Sequence, residues 1–249
     1  MPTSVEHANK AAFLERVRNA IGRSGPVSQT PDHPPLKATL PRQQEKVRTI
    51  IAKNEARRSV IMTLLADNAE AGSWNVHRVN TLDGAAATVA EIASRAGGRS
   101  IVRTAEDIFR RVDVDGALRR RNLSATVLAS GGRRRRGDLK RLAFDADIGI
   151  AGVTHAVAET ASCVVAPRKG VARIATLAPP VLVLLVEAEQ VVETLDDFFA
   201  LTRLTFQQAR GRTPNYFNFI SGPSRTADIE QTLTIGVHGP GEVHMVIIG

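Results

Sequence analysis

The sequence predicts an α/β protein layered on a largely parallel sheet. Three observations carry that expectation. Short apolar or alternating segments recur between helical patterns from residue 74 to residue 151. The run Val181-Leu182-Val183-Leu184-Leu185-Val186 is apolar at every position, as a strand buried on both faces requires. Glycine pairs, Gly97-Gly98 and Gly131-Gly132, break the chain between segments.

Near the N-terminus, residues 5–21 place Ala8, Ala12, Phe13, Val17 and Ile21 at roughly helical spacing. Residues 23–42 carry Pro26, Pro31, Pro34, Pro35 and Pro41 with few apolar side chains, which reads as a linker. Residues 1–42 are therefore expected to form an N-terminal helical arm, and residues 43–249 one domain. Within the domain, 43–70 reads as one long helix with Val47, Ile50, Ile51, Ile61, Leu64 and Leu65 as core candidates. Strands are expected at 74–79, 100–103, 125–128 and 148–151, separated by helices at 83–96, 105–120 and 138–145. Beyond residue 152 come a small-residue loop or short strand, a strand at 163–165, the apolar strand at 181–186 and a helix at about 193–210. Strands at 216–220 and 243–248 end the pattern.

Composition limits the function classes. With 249 residues the chain is long enough for one large domain plus an extension. Its longest apolar run is far too short to span a bilayer. The first residues lack a basic segment followed by an apolar one, so no secretory signal is read and a cytoplasmic protein is expected. One cysteine, Cys163, allows no internal disulfide and cannot supply the ligands of an iron–sulfur cluster. The net charge of +8 owes much to Arg119-Arg120-Arg121 and Arg133-Arg134-Arg135-Arg136. Such a cluster reads first as a solvated surface and second as a contact for an acidic protein. Aromatic residues at 4% leave few stacking platforms, which disfavours nucleic acid.

Three loops hold the chemistry. Ser221-Gly222-Pro223-Ser224-Arg225-Thr226-Ala227-Asp228-Ile229-Glu230 follows a strand, and its Gly-Pro pair turns the chain. Ser224 and Thr226 suit the N-cap of a helix starting near 225–227, with Asp228 and Glu230 in the first turns. A strand, a turn and a helix N-terminus would cradle an anion, with Arg225 at its mouth. Two residues apart on a helix is about 200°, so the two acids do not form a facing pair. Gly236-Val237-His238-Gly239-Pro240-Gly241 is a second loop, where His238 is an acid/base candidate and Gly239 permits close backbone approach. The third is Gly152-Val153-Thr154-His155-Ala156-Val157-Ala158-Glu159-Thr160-Ala161-Ser162. Thr154, His155 and Thr160 are ligand candidates there. Glu159 is expected to be partly desolvated with a raised pKa, as a base or nucleophile. Its structural alternative is a carboxylate that accepts backbone N–H groups and holds the loop. No metal-ligand spacing is present, and no dinucleotide, P-loop or nucleophile-elbow motif occurs.

Ala146-Asp147-Ile148-Gly149-Ile150-Ala151-Gly152, Ala158-Glu159-Thr160, Ala178-Pro179-Pro180, Gly222 to Glu230 and Gly236-Val237-His238-Gly239-Pro240 together resemble the LUD-domain family, and within it the C-type lactate-utilization proteins. The resemblance covers about residues 44–249. It implies a three-layer α/β/α fold like the glucosamine-phosphate isomerase, ribose-phosphate isomerase and CoA-transferase group. It also implies service in an iron–sulfur complex oxidising L-lactate to pyruvate, with the clusters on partner subunits and no cofactor on this chain. One departure stands out: relatives carry a glycine where this chain has Ala161. The alternative function is a stand-alone transferase- or isomerase-like enzyme acting on a small anionic metabolite, with Glu159 as its nucleophile or base.

Overall fold

The computed structural model describes residues 4–22, 37–129, 136–168, 170–210, 213, 216–227 and 233–249. The proline-rich linker therefore lies largely outside the described residues. The chain divides into two units, Met1–Thr39 and Leu40–Gly249. The first contributes one helix, α1 (Ser4–Ala20), on which Phe13, Leu14 and Val17 are exposed.

The second unit begins with α2 (Leu40–Ala56), α3 (Arg58–Ala71), β1 (Asn75–Val79), α4 (Leu82–Arg95) and β2 (Ile101–Arg103). It continues with α5 (Val114–Arg119), β3 (Ala125–Val127), α6 (Arg136–Phe144), β4 (Ile148–Gly152), β5 (His155–Val157) and β6 (Ser162–Val165). Last come β7 (Val181–Glu187), β8 (Val191–Val192), α7 (Leu195–Gln208), β9 (Asn218–Ile220), β10 (Arg225–Ala227), β11 (Leu233–Ile235) and β12 (Glu242–Ile248).

Six strands form the central sheet in the order β1-β12-β7-β4-β2-β3, every pair parallel. The two longest, β7 and β12, lie side by side in its middle, in register from Val181↔Glu242 to Glu187↔Ile248. The pleat divides their side chains between two cores. Val183, Leu185, Val246 and Ile248 pack with α4 and α5 through Ala85, Val89, Ile92 and Leu118. Leu182, Leu184, Val186, Val243, Met245 and Ile247 face the other way, against Ile61, Leu65 and Ala69 of α3. The parallel α/β architecture read from the sequence is thus present, with helices on both faces.

The second face differs from the expectation in one respect. Beside α3 it is covered by a four-stranded sheet, β8-β5-β6-β9, in which β5 pairs antiparallel with β6, β6 antiparallel with β9, and β5 parallel with β8. The inner side chains of this sheet, among them Ala156, Cys163, Val165, Val191 and Ile220, join the α3 core. Its outer ones, Val157, Val164 and Val192, pack under Phe198 of α7. Every residue in the strands of this layer except His155, Asn218 and Phe219 is buried. A two-residue strand such as β8 carries too little pattern to be seen in sequence.

Three further segments depart from the expected elements. The long helix at 43–70 is two helices, because its halves dock on different surfaces. Val47 and Ile50 of α2 meet Ala200 of α7, while α3 meets the central sheet. No proline or glycine marks the break at Arg57, whose φ is −113° and ψ 14°. The helix at 105–120 is a 3₁₀ turn, Asp107–Arg110, followed by α5, which is capped by the Asp113 carboxylate accepting from Gly116 N–H at 2.8 Å. The helix expected from 225 onward is instead a strand: β10 pairs antiparallel with β11, placing Thr226 opposite Thr234. Thr226, Thr234 and Ile235 favour this pairing because β-branched side chains suit the pleated surface.

Gly149 shows how closely β4 is held. A Cβ built on it would lie 2.1 Å from the carbonyl oxygen of Ala175. Gly149→Ala must therefore displace backbone, and the expected loss is about 2 kcal/mol or more, measured as the fall in ΔG of urea unfolding.

Candidate functional site

Two of the three loops singled out in the sequence, and the far end of the third, gather at the amino edge of the central sheet. There Gly241 and Glu242 N–H donate to the carbonyl of Pro180, just ahead of β12 and β7. Ser224 N–H donates to the Pro240 carbonyl at 2.8 Å, and the Ser224 carbonyl accepts from Gly236 N–H at 2.9 Å. Ser224 therefore closes the base of the β10–β11 hairpin and caps no helix. Gly239 sits over it, a Cβ there reaching 3.4 Å from Ser224 Cβ. Gly222 has φ +137°, and a Cβ on it would come within 2.8 Å of the Gly72 carbonyl, so this position needs glycine twice over. Arg225 is exposed, and its guanidinium donates to the Ser73 hydroxyl.

The 158–162 turn reaches the same edge. Its hydroxyls form a chain: Thr160 to Ser162 at 2.8 Å, then Ser162 to Ser221 at 2.6 Å. Asn68 of α3 donates to the Ala158 carbonyl at 2.8 Å and ties the turn to that helix. Ala161 takes φ +49°, the left-handed conformation that a glycine accepts without strain.

The sequence-predicted residues thus fall into four groups. Thr160, Gly222, Ser224, Arg225, Thr226 and Gly239 lie together at the amino edge, with His238 exposed beside them. The anion cradle expected of a helix N-terminus is absent there, because the segment is a hairpin. Asp228 and Glu230 lie outside the described residues, as do Arg133, Arg134 and Arg135 of the arginine run. Thr154 and His155 lie at the other end of β5. The Thr154 hydroxyl accepts from Ala166 N–H at 3.2 Å. His155 packs edge-on against Phe198, ring centroids 5.5 Å apart, and burial pushes its pKa down to about 4. A neutral imidazole in that setting is a packing group.

Glu159 is exposed, against the expected desolvation, and its carboxylate accepts from Leu195 N–H at 2.6 Å. It caps the start of α7 beside Thr194, whose hydroxyl accepts from Asp197 N–H at 3.1 Å. The structural alternative is the arrangement observed.

Two polar groups have no counterpart among the sequence candidates. His77 and His244, on neighbouring strands, meet Nε2 to Nδ1 at 3.1 Å, and His244 continues to Glu242 at 2.8 Å. Burial lowers the pKa of both imidazoles, and for His244 it outweighs the opposing pull of Glu242. The second is Glu106, at the carboxyl edge of the sheet. The chain leaves β2 toward β3 and leaves β4 toward β7, on opposite sides, so the crevice between β2 and β4 is a topological switch point. Glu106 fills it, only 7% exposed. β3 and α6 separate Glu106 from β4 in the chain and conceal this neighbourhood from local pattern. Among the described residues, no three His, Cys, Asp or Glu side chains are placed to share a metal ion. No described helix is long and apolar enough to cross a membrane.

Comparison with known proteins adds to this geometry. A family model described as the LUD domain matches residues 62–248, about three-quarters of the chain. A lactate utilization protein C from Exiguobacterium sp. is 37% identical over 109 residues, 44% of this chain and 47% of that protein. The one from Halalkalibacterium halodurans is 35% identical over 108 residues, 43% and 46% of the two chains. The chain spans about half the length of these curated relatives. A lactate utilization protein B from Bacillus licheniformis is 29% identical over 114 residues, 45% of this chain but 22% of that protein. A solved DUF162-family protein from Deinococcus radiodurans superimposes with a TM-score of 0.52 at 18% identity, covering 77% of this chain and 98% of that one. At that identity it supports the fold alone.

Two outcomes test the local geometry. Ala161→Gly removes left-handed strain and also a buried methyl, so its stability should stay within about 1 kcal/mol of the parent. Ala161→Val keeps the strain and adds branching, and should cost about 2 kcal/mol or more in the same urea titration. For His155 the folded pKa lies below the unfolded one. Its contribution is present above the unfolded value of about 6.5 and is lost as pH falls toward about 4. Stability should decline across that window, by up to roughly 3 kcal/mol from this group. His155→Phe should decline less steeply when unfolding is measured from pH 7 to pH 4.

Proposed function

We propose that this chain, which belongs to the LUD domain family, is the cluster-free subunit of a complex that oxidises L-lactate to pyruvate, with iron–sulfur clusters on its partners. The observation that carries this reading is the cysteine inventory. Oxidation of lactate to pyruvate releases two electrons and two protons, so an electron acceptor is required. This chain has one cysteine, Cys163, fully buried in the core between the two sheets, where desolvation pushes its thiol far above the ordinary range. A metal ligand must be the thiolate, and one thiol is too few for a cluster. If this domain serves electron transfer, the clusters sit elsewhere.

The names of the relatives support a place in lactate utilization. Stretches of this chain match proteins named lactate utilization protein C and, over about a fifth of that protein's length, one named lactate utilization protein B. Similarity of this chain to two differently named proteins of one process suits components that work side by side. In this reading the amino-edge face offers the anion contact. Arg225 supplies the cation there, steadied by Ser73, with Ser221, Ser224 and His238 around it.

A second reading is favoured by the carboxylic acid at the switch point, where open α/β sheets bind small molecules. It is a stand-alone enzyme on a small anionic metabolite, related in fold to the sugar-phosphate isomerases and CoA transferases. Thermal-shift measurements with sugar phosphates and CoA esters separate the two, since a subunit without such a substrate shows no rise in melting temperature.

Deletion of this chain should abolish or strongly slow growth on L-lactate while leaving growth on glucose unchanged, and the intact gene should restore it. Normal growth of the deletion strain on L-lactate overturns the proposal. Arg225→Ala should reproduce part of the defect with the protein folded and present at parental abundance.

A further inference from the structure

A cleft of about 240 Å3 opens between the end of α6 and the segment 173–178. Phe144, Arg173, Ile174, Leu177 and Ala178 line it, and no acid does. Both walls are anchored in the core. Ala143 and Ala146 are buried with Ala175, and Ile174 and Ala178 pack against them. The Ala175 carbonyl already lies so close to Gly149 that a Cβ there would meet it at 2.1 Å, so this wall cannot sink further onto β4.

The rim is aromatic and basic. Phe144 is 61% exposed, and Tyr216, just before β9, is 45% exposed. Each carries a cation over its ring. Lys140 Nζ lies 5.6 Å from the Phe144 centroid, and the Arg173 guanidinium 4.9 Å from that of Tyr216. Stacking of this kind steadies a cation while leaving its N–H donors free for an anion. Among the described residues neither cation has a carboxylate partner, whereas Arg141 of the same helix is paired with Asp138 at 3.1 Å.

Size and charge choose the occupant. Small-molecule sites run from about 300 Å3 upward, so a cleft of this volume suits one large side chain. Two unpaired cations beside an acid-free cleft call for carboxylates, on a chain whose net charge is +8 and where α6 starts at the last arginine of the 133–136 run. An apolar anchor flanked by acids meets both demands. A nucleic-acid strand fits less well, because one face of each exposed ring is already covered and Ile174, Leu177 and Ala178 offer its phosphates nothing.

We infer that this cleft docks an acidic segment of a partner protein. One aromatic side chain of that segment sits against Phe144, Ile174 and Leu177, and its flanking carboxylates meet Lys140 and Arg173. The cleft belongs to the isolated chain and requires neither lactate nor a cluster-bearing subunit. A failure here therefore leaves the lactate-oxidation reading to its own test.

Fluorescence anisotropy of a labelled peptide, acetyl-Asp-Glu-Glu-Trp-Glu-Glu-Asp-amide, titrated with the purified full-length chain tests this. Saturable binding is expected, weakening about fivefold or more as salt rises from about 0.05 M to about 0.3 M. Glycine in place of the peptide's tryptophan should weaken binding about tenfold, and so should Phe144→Ala in the chain. The two losses should not add, because each removes the other's contact. Arg173→Ala should weaken binding about threefold or more and flatten its salt dependence. Ile101 and Val102 of β2 face α4 and α6 respectively, so Arg95→Ala removes an equal charge across the sheet and should change nothing. Absence of saturable binding by the parent chain overturns the proposal. So does binding that Phe144→Ala and Arg173→Ala both leave unchanged, or a thymidine oligonucleotide that binds more tightly than the peptide.

Discussion

The parallel ladder between Val181–Glu187 and Glu242–Ile248 dictates how the second unit is put together. Its interior positions are buried on both faces, so neither strand can be exposed without opening two cores at once. Parallel pairing of this kind must be covered on both sides. One cover is helical, α4 with α5. The other is α3 together with a small mixed sheet, itself covered by α7. Each of these covering elements has its place because side chains of the central pair, or of the layer packed on it, point at it.

That ladder also sorts the chemistry. A parallel sheet has two unlike edges. The amino edge receives the β10–β11 hairpin and the 158–162 turn, whose hydroxyls and backbone groups largely satisfy one another. The carboxyl edge holds Glu106, which is left one bond short. The loops singled out in the sequence thus hold the start of β12 and β7 in place, while Glu106 lies at the opposite edge. Segments that identify a family need not be the segments that do its chemistry.

Much of the fold was legible because it rests on local pattern. The uniformly apolar run at 181–186, the alternation around 74–79 and the stop at Gly97, whose φ is +63°, each encode an element directly. Elsewhere a distant partner decides. The break at Arg57 follows from α2 docking on α7, where the buried Gln43 amide donates to the Ala200 carbonyl, 157 residues later in the chain. The segment after Ser224 has good cap residues for a helix, yet the β-branched residues at 226, 234 and 235 pair into a hairpin. Glu159 was legible only as two alternatives, and the choice between them required knowing that Leu195 N–H lies 2.6 Å away. Glu106 carries no motif. Its burial arises from β2 and β4 meeting across the intervening β3 and α6.

Membership of an electron-transfer assembly, with this chain as the part that holds no cluster, has one decisive measurement. The tagged chain is isolated by affinity from cells grown on L-lactate, iron and acid-labile sulfide are measured in the eluate, and dye reduction is assayed on addition of L-lactate. Cysteine-rich partners should co-elute, with iron and sulfide in proportion to them and with lactate-dependent dye reduction. A chain that elutes alone and free of iron from lactate-grown cells contradicts that membership.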